Sequence, residues 1–259
     1  MIRDGDVMRK MNPVQLVVYK TKAFFIRKSS IRQLRMLKDS HKGERCFIIG
    51  NGPSLTPEDL DKLKSEFCFA SNRIDKMYEY TDWRPTFYCT QDITIIQTYR
   101  DILKKIHAPY KLMVYAGSRK IGYIGKALYT PFIDLDFYPN PPTFSEDIAA
   151  GIGEGFTVTY TCMQIASYMG FKEMYLIGMD HNFPVDIKED GTVVKNDVKS
   201  HFYDKEKNVK THVYPMLYKT ELSYKTAKEY ADKHDIKIYN ATRGGKLEIF
   251  ERVDFDSLF

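Results

Sequence analysis

From residue 46 onward, short apolar runs alternate with longer segments of helical pattern, and this alternation is the strongest constraint on the fold. The apolar runs predict strands at residues 46–49, 67–71, 86–90, 112–115, 174–177 and 236–239. Helices are predicted between them at residues 57–64, 93–106, 119–128, 158–169 and 222–233. Continuous apolar strands are typical of sheets covered on both faces. The order therefore predicts an α/β, Rossmann-like, mainly parallel sheet with helices on both faces.

Polar residues and glycines follow these predicted strands directly. In an open parallel sheet, ligands bind beyond the carboxyl ends of the strands, so these residues are the candidate binding site. The predicted nucleotide- or donor-binding residues are Gly50, Asn51, Gly52, Pro53, Ser54, Asn72, Arg73, Gln91, Asp92 and Asn182.

The GNGPS turn (residues 50–54) after the first strand suits a phosphate-bearing ligand. Its glycines let the backbone approach a ligand closely, and the helix that follows would present free N–H groups to a phosphate. The turn matches neither GxGxxG nor GxxxxGK[ST], which disfavours a dinucleotide cofactor and P-loop chemistry. The alternative is that the glycines only form a tight strand-to-helix turn.

Three further motifs have two interpretations each. Asp180, in the GMDHN turn (residues 178–182), is a candidate catalytic residue or else an Asx turn or helix cap. His201 is a candidate general base or a surface histidine. Asp134-Leu135-Asp136 has the DxD spacing of metal-binding sugar-nucleotide transferases, but a match this short is expected by chance, so no metal site is predicted.

Composition limits where such a protein could work. All four cysteines (Cys46, Cys68, Cys89 and Cys162) lie in apolar runs without CxxC spacing, which favours a reducing, cytoplasmic location. No apolar stretch approaches the roughly 20 residues that span a bilayer, and no signal-peptide pattern is present. The net charge is +5, yet the first 45 residues alone carry 12 Lys and Arg against 4 Asp and Glu.

Residues 1–44 are therefore predicted as a basic amphipathic segment ahead of a domain at residues 45–259. Its mixture of apolar and basic residues fits an interfacial helix attracted to anionic lipid. A helix packed on the domain with a solvated basic face is the other interpretation. Nucleic acid is not an expected partner, because no nucleic-acid motif is present and no basic stripe continues into the rest of the chain.

Residues 182–218 are polar and show little periodicity. A structureless loop of this length is uncommon inside a compact domain, so the segment is predicted to be an active-site lid or small subdomain.

Several motifs taken together resemble a known family. FIIGNGPSL, SNRI, PTFYCTQD, GFTVTYTCMQIASYMGFKEMYLIGMDHNF, SHFY and YNATRGGKLEIFERVDFDSLF occur in order between residues 45 and 259. They resemble bacterial members of the family named after the archaeal 6-hydroxymethyl-7,8-dihydropterin diphosphokinase, which are often encoded in surface-polysaccharide gene clusters. GNGPSL and GFKEMYLIGMD are also distantly similar to bacterial lipooligosaccharide sialyltransferases and flagellin nonulosonate transferases, which bind a CMP-sugar with a Rossmann-like domain and a lid.

The likeness to the sialyltransferases implies roles for individual residues. It implies contacts of Asn51, Gly52, Ser54 and Asn72 with a cytidine nucleotide, and of Gln91 and Asp92 with the donor sugar. His201 is the nearest candidate for the catalytic histidine, with His212 second. Gly155 stands where the sialyltransferases have arginine, a departure that argues against sialic acid itself as donor.

Three functions are compatible with these residues. The preferred one is a metal-independent glycosyltransferase of surface-polysaccharide or lipooligosaccharide synthesis. Its expected donor is a nucleotide sugar, specifically a CMP-linked acidic sugar, and its expected acceptor is a glycan or lipid-linked glycan. His201 would be the base, and Tyr203 or Tyr214 would donate hydrogen bonds to the departing phosphate, so no cofactor is expected. The alternatives are an ATP-dependent pterin diphosphokinase with Mg²⁺ on Asp92 and Asp180, and a non-catalytic nucleotide-binding subunit. Homo-oligomerisation is left open.

Overall fold

The structure is a computed structural model that describes residues 13–115, 126–135, 137–203 and 216–259, with backbone only for residues 13–24 and 115. Its strands are β1 Arg45–Ile49, β2 Cys68–Ser71, β3 Phe87–Thr90, β4 Tyr110–Tyr115, β5 Leu128–Asp134, β6 Ile152–Gly153, β7 Glu173–Ile177, β8 Val185–Ile187, β9 Val193–Lys195, β10 Lys237–Asn240 and β11 Glu251–Arg252. Its α-helices are α1 Pro13–Met36, α2 Pro57–Lys62, α3 Ile93–Thr98, α4 Arg100–Lys105, α5 Val158–Tyr168 and α6 Leu217–Lys233, and Ile74–Glu79 and Phe255–Leu258 are 3₁₀ helices.

Nine of these strands form one parallel sheet in the order β11-β10-β7-β1-β2-β3-β4-β5-β6. Successive side chains of β1 enter two separate cores: Cys46 and Ile48 pack on the side of α5 and α6, whereas Phe47 and Ile49 pack on the side of α2, α3 and α4. Both faces of the sheet are therefore covered, which is why its strands are continuous apolar runs. The predicted Rossmann-like α/β class is confirmed.

The six predicted strands are all present, but the sequence pattern missed others. β5 was overlooked because LYTPFID contains a proline and polar residues, and β6 and β11 are only two residues long. The predicted helix at residues 93–106 is divided at Tyr99 into α3 and α4. The predicted helix at residues 119–128 lies mostly outside the described residues, and its last residue, Leu128, begins β5.

The C-terminal half of α1 packs on the domain. Ser30, Leu34 and Leu37 are buried, and Leu34 and Leu37 belong to the core beside α5. Just beyond the helix, the amides of Asp39 and His41 donate to carbonyl oxygens at the end of α5. A boundary at residue 44 therefore does not separate this part of the chain from the core. None of the described helices combines the length and apolar character needed to cross a membrane.

The segment predicted as a lid contains ordered structure. β8 and β9 pair as an antiparallel hairpin, and the buried carboxylate of Asp186 accepts a hydrogen bond from the Leu217 amide at the start of α6. The amide of Phe202 donates to the carbonyl oxygen of Asn51 at 3.0 Å, which joins this segment to the GNGPS turn. Residues 204–215, with His212 and Tyr214, lie outside the described residues.

Candidate functional site

The sheet order creates a crevice between β1 and β7. After β1 the chain builds β2 to β6 on one side, and it then returns to place β7, β10 and β11 on the other. The connections that follow β1 and β7 therefore leave the sheet in opposite directions, and ligands of open α/β sheets bind at such a switch point. The GNGPS turn follows β1 and the GMDHN turn follows β7, so both predicted turns lie at this crevice.

Glycine is required where these two turns meet. The amide of Gly52 donates to the carbonyl oxygen of Gly178 at 2.9 Å, and that of Gly50 donates to Ile177 at 2.8 Å. A Cβ on Gly50 would lie 2.8 Å from the Gly178 carbonyl carbon and from Met179 Sδ. The glycines thus permit close backbone contact between the two strand ends.

Asp180 holds the GNGPS turn in place. Its Oδ2 accepts hydrogen bonds from Ser54 Oγ at 2.7 Å and from the Ser54 amide at 3.4 Å. The same carboxylate lies against Gly52, where a Cβ would overlap it. This geometry makes Asp180 a positioning residue for the turn.

A cleft of about 700 Å³ opens at this edge of the sheet. The predicted site residues that line it are Gly50, Asn51, Gly52, Asn72, Gln91, Asp92, Asp180, Asn182, His201 and Tyr203.

Three predicted binding residues do not line the cleft. Pro53 is exposed, and Ser54 turns toward Asp180. Arg73 is only 2% exposed, and its guanidinium forms two hydrogen bonds with Asp75 at 2.9 and 3.1 Å. The prediction placed these residues by their position after a strand, but their side chains point elsewhere.

Two asparagines present amide groups to the cleft. Asn51 donates through Nδ2 to the carbonyl oxygen of Ser71 at 3.2 Å, while its buried Oδ1 has no hydrogen-bond partner within the described structure. Asn72 has a left-handed backbone (φ +49°), and its Oδ1 accepts from Thr90 at 3.1 Å. A buried oxygen without a partner is costly, so Asn51 Oδ1 is a candidate acceptor for a hydrogen bond from a ligand.

Gln91 and Asp92, at the end of β3, use their side chains in hydrogen bonds with the protein. Gln91 Oε1 accepts from the hydroxyl of Thr161, and Asp92 Oδ1 caps α3 by accepting from the amides of Thr94 at 2.7 Å and Ile95 at 3.2 Å. Asp92 is therefore a helix cap.

The residues proposed for Mg²⁺ in the diphosphokinase interpretation, Asp92 and Asp180, both line the cleft. Asp92 and Asp180 each use one carboxylate oxygen in protein hydrogen bonds. Within residues 13–115, 126–135, 137–203 and 216–259, no group of three or more His, Cys, Asp or Glu residues is arranged to hold a metal ion. Asp134 of the DxD sequence uses its carboxylate to accept from the amides of Thr143 and Glu154, and Asp136 lies outside the described residues.

The N-terminus of α5 also lines the cleft. Thr157 caps this helix by accepting from the Thr159 amide at 3.3 Å, and Phe156 before it has a left-handed backbone (φ +55°). The expectation that α2 offers free amides to the ligand is not met, because its N-terminus does not line the cleft and Thr56 and Asp59 form a capping box there. The 11-residue α5 is the stronger source of positive potential for an anion. In the sequence, the GFT motif (residues 155–157) directly before the predicted helix at residues 158–169 could have indicated this helix N-terminus.

Gly155, just before this helix N-terminus, cannot carry a side chain in this arrangement. A Cβ there would overlap the ring of Tyr160, which is fully buried. The glycine is therefore a packing requirement at this position.

His181 is a cleft residue that the sequence prediction did not select. Its backbone is left-handed (φ +50°) and its side chain is 7% exposed. Nε2 has no hydrogen-bond partner within the described residues, with Glu221 Oε1 at 3.5 Å. Burial lowers the pKa of His181, although the carboxylates of Glu221 and Asp186 oppose this effect. Three of the five described non-glycine residues with positive φ (Asn72, Phe156 and His181) line this cleft, and such conformations concentrate at functional sites.

His201 and Tyr203 lie on the segment that joins the GNGPS turn. Their rings stack with centroids 4.8 Å apart and an interplanar angle of 16°. Tyr203 is buried, and both residues line the cleft. The structure therefore brings these two predicted catalytic side chains to the same cavity as the asparagines and the N-terminus of α5.

These features define a Rossmann-like α/β protein with a polar cleft at the switch point of its sheet. The chain belongs to the 6-hydroxymethylpterin diphosphokinase MptE-like family, whose model matches residues 21–186. This match confirms the family resemblance found in the sequence. A search of curated proteins finds no match.

A solved glycosyltransferase has a similar structure. The MAf glycosyltransferase from Magnetospirillum magneticum AMB-1 is 15% identical in sequence, with a TM-score of 0.54 over 90% of this chain and 39% of that protein. At this identity the likeness shows the fold alone. The present chain corresponds to about two fifths of the larger protein.

Proposed function

We propose that this protein is a glycosyltransferase whose donor, a CMP-linked acidic sugar, binds in the cleft between β1 and β7. The observation that carries the proposal is the convergence of glycine backbone, asparagine amides and the N-terminus of α5 on one cavity. Glycines admit a ligand close to the backbone, and the helix N-terminus favours a phosphate. The fold shared with a glycosyltransferase supports the same conclusion.

In this proposal each polar group has a distinct role. Asn51 Oδ1 accepts a hydrogen bond from the nucleotide, and Asn72 Nδ2 donates one, because Thr90 engages the Oδ1 of Asn72. The amides at the start of α5 bind the phosphate that links nucleotide and sugar. Asp180 keeps the GNGPS turn in the conformation that receives the ligand.

The proposed chemistry uses His201 as general base. It takes the proton from the acceptor hydroxyl as that oxygen bonds to the anomeric carbon, while the bond from this carbon to the phosphate oxygen breaks and CMP leaves. Tyr203 donates a hydrogen bond to the departing phosphate and offsets its developing charge. The proposed acceptor is a glycan or lipid-linked glycan, and the reaction as proposed requires no metal.

Nucleotide binding tests the first part of this proposal. We expect CMP to raise the melting temperature without Mg²⁺, more than UDP, ADP or ATP does. Asn51→Leu should abolish the CMP-dependent rise, whereas Asn140→Ala, an exposed asparagine outside the lining of the cleft, should preserve it. Stabilisation by ATP only with Mg²⁺ would instead support the diphosphokinase that the family's description names.

Turnover tests the second part. CMP release from a CMP-linked nonulosonic acid should require His201, so His201→Asn should retain CMP binding and lose release. Binding of CMP without release of CMP from any such donor, in the presence of a glycan acceptor, would instead support the non-catalytic nucleotide-binding subunit.

We also propose that α1 contacts the anionic inner face of the cytoplasmic membrane. Four cations on this helix are exposed: Arg27, Lys28, Arg32 and Arg35. The last three project on the side opposite the buried Ser30 and Leu34, and Arg27 lies closer to the buried side. Each cation near an anionic surface strengthens binding roughly fivefold. Changing all four to Gln should release the protein from phosphatidylglycerol vesicles. The matched control, in which Lys105, Lys225, Lys228 and Lys233 become Gln, should stay bound, and equal binding of both variants would reject the contact.

A further inference from the structure

A cation sits among aromatic rings at the rim of the cleft. Lys219 Nζ lies 4.5 Å from the ring centroid of Phe156, 5.5 Å from that of Tyr138 and 6.0 Å from that of Tyr218. We name these four residues the aromatic–lysine cluster. Phe156 itself lines the cleft, and so does Thr220, the neighbour of Lys219 on α6.

Within the described residues, the ammonium group of the cluster has no carboxylate partner. No carboxylate oxygen in the described part of the chain lies within 4 Å of Lys219 Nζ, in contrast to the paired Lys188 and Lys228. Glu189, which is close to the cluster, accepts a hydrogen bond from the hydroxyl of Tyr138. Aromatic faces attract an ammonium group without using its hydrogen-bond donors, so these donors stay available to an anion.

Each ring of the cluster packs against another aromatic ring. Tyr138 and Tyr218 pack edge to face, with centroids 5.0 Å apart and an interplanar angle of 83°. Phe156 packs edge to face against Phe137 at 5.5 Å, at 78°. Rigid aromatic rings beside a charged group provide an apolar surface for one face of a sugar ring, while the charge orients a polar substituent.

Phe156 connects the cluster to the proposed phosphate site. Phe156 directly precedes Thr157, the N-cap of α5, whose N-terminus is the proposed phosphate site. In a nucleotide sugar, the sugar is bonded to that phosphate. The cation is thus placed for an anionic group carried by a sugar in the cleft.

We propose that the aromatic–lysine cluster is a subsite for the carboxylate of an acidic sugar, with Lys219 as the carboxylate-binding residue and the three rings as the platform. This inference rests on the proposed function, and it adds the residues that select an acidic sugar. The carboxylate belongs either to the sugar of the donor or to an acidic sugar of the acceptor glycan.

Calorimetric titrations distinguish these two sources. The donor arm compares CMP with CMP-N-acetylneuraminic acid, and the acceptor arm compares lactose with 3′-sialyllactose. Wild-type protein should bind the carboxylate-bearing member of at least one pair about tenfold more tightly. Lys219→Met, which keeps the aliphatic stem on the rings, should remove that preference and leave the affinity for CMP unchanged. Lys219→Arg should retain the preference, because it restores a cation over the rings.

A matched control and a folding check complete the test. Lys225→Met removes an exposed lysine from the same helix and should keep the wild-type preference. Melting temperatures of all variants would show whether each one is folded. The proposal is overturned if wild type shows no preference in either arm, or if folded Lys219→Met retains it. If CMP fails to bind, the result counts against the proposed donor. The acceptor arm contains no nucleotide, so its result would still test the carboxylate subsite.

Discussion

Replacing Gly50 with alanine adds only one methyl group, but it should destabilise the contact between the ends of β1 and β7. A Cβ at this position would lie 2.8 Å from the Gly178 carbonyl carbon, whereas ordinary contacts begin at 3.4 Å. The Gly178 carbonyl oxygen would lie closer still, so the two strand ends must separate by more than the difference of about 0.6 Å between these two distances. The bonds from Gly50 to Ile177 (2.8 Å) and from Gly52 to Gly178 (2.9 Å) would lengthen as a result.

The expected cost follows from these contacts. Overpacking costs about 1–3 kcal/mol, and each weakened backbone hydrogen bond adds about 0.5–1.5 kcal/mol. We expect Gly50→Ala to lower the free energy of unfolding by about 2–6 kcal/mol, or the melting temperature by roughly 4–24 °C. Urea denaturation monitored by circular dichroism measures the loss of stability. In a separate thermal melt, the CMP-dependent rise in melting temperature should disappear.

Gly244→Ala is the matched control for this substitution. Gly244 has a left-handed backbone (φ +71°), but a Cβ there would meet no atom within 4 Å. Its cost should be limited to backbone strain of about 1–2 kcal/mol, and the response to CMP should persist. Both substitutions change the unfolded chain in the same way, so that contribution cancels. Equal losses of stability in the two variants would refute the steric argument.

Three further predictions concern other parts of the structure. Ser54→Ala should lower the free energy of unfolding by about 1.5–3 kcal/mol in urea denaturation, because it removes the charge-assisted hydrogen bond to Asp180; a change below 0.5 kcal/mol would contradict this. Leu34→Ala should lower the free energy of unfolding by about 2–5 kcal/mol because Leu34 is fully buried. Met36 is the control: its side chain is 72% exposed, so Met36→Ala should change the free energy of unfolding by less than about 0.5 kcal/mol. Because burial lowers the pKa of His181, the unfolded chain binds its proton more readily, so stability should fall as the pH drops below about 6.5. In thermal melts from pH 8 to pH 5, His181→Phe should reduce this decline, and an unchanged profile would show that His181 does not cause it.

The sequence predicted most of the sheet because buried parallel strands leave a direct signal. The runs CFII and MYLI are apolar at every position, since both faces of the sheet are covered. β5 gave no such signal because Pro131 and Thr130 interrupt it. The packing of α1 was also uncertain from sequence, because its basic residues suit a solvated face and a lipid surface equally well.

The candidate site was predictable as a set of loops but not as a set of side chains. Parallel strands bring their carboxyl ends to one edge, which is why the GNGPS and GMDHN turns could be placed together. The positions of these residues in the sequence do not show where their side chains point. Ser54 and Arg73 turn away from the cleft and form hydrogen bonds with the carboxylates of Asp180 and Asp75. His181 was missed because its burial and left-handed backbone exist only in the folded chain.

The pairing of β1 with β7 has a consequence for how this protein is made. Ser54 and Asp180, which together shape the first turn of the cleft, are 126 residues apart in the chain. Closing so large a loop is entropically expensive, and non-local contacts of this kind slow folding. A nascent chain whose β7 has not yet emerged from the ribosome contains the GNGPS turn but not the opposite wall of the cleft. The cleft can therefore form only after most of the sheet has been synthesised.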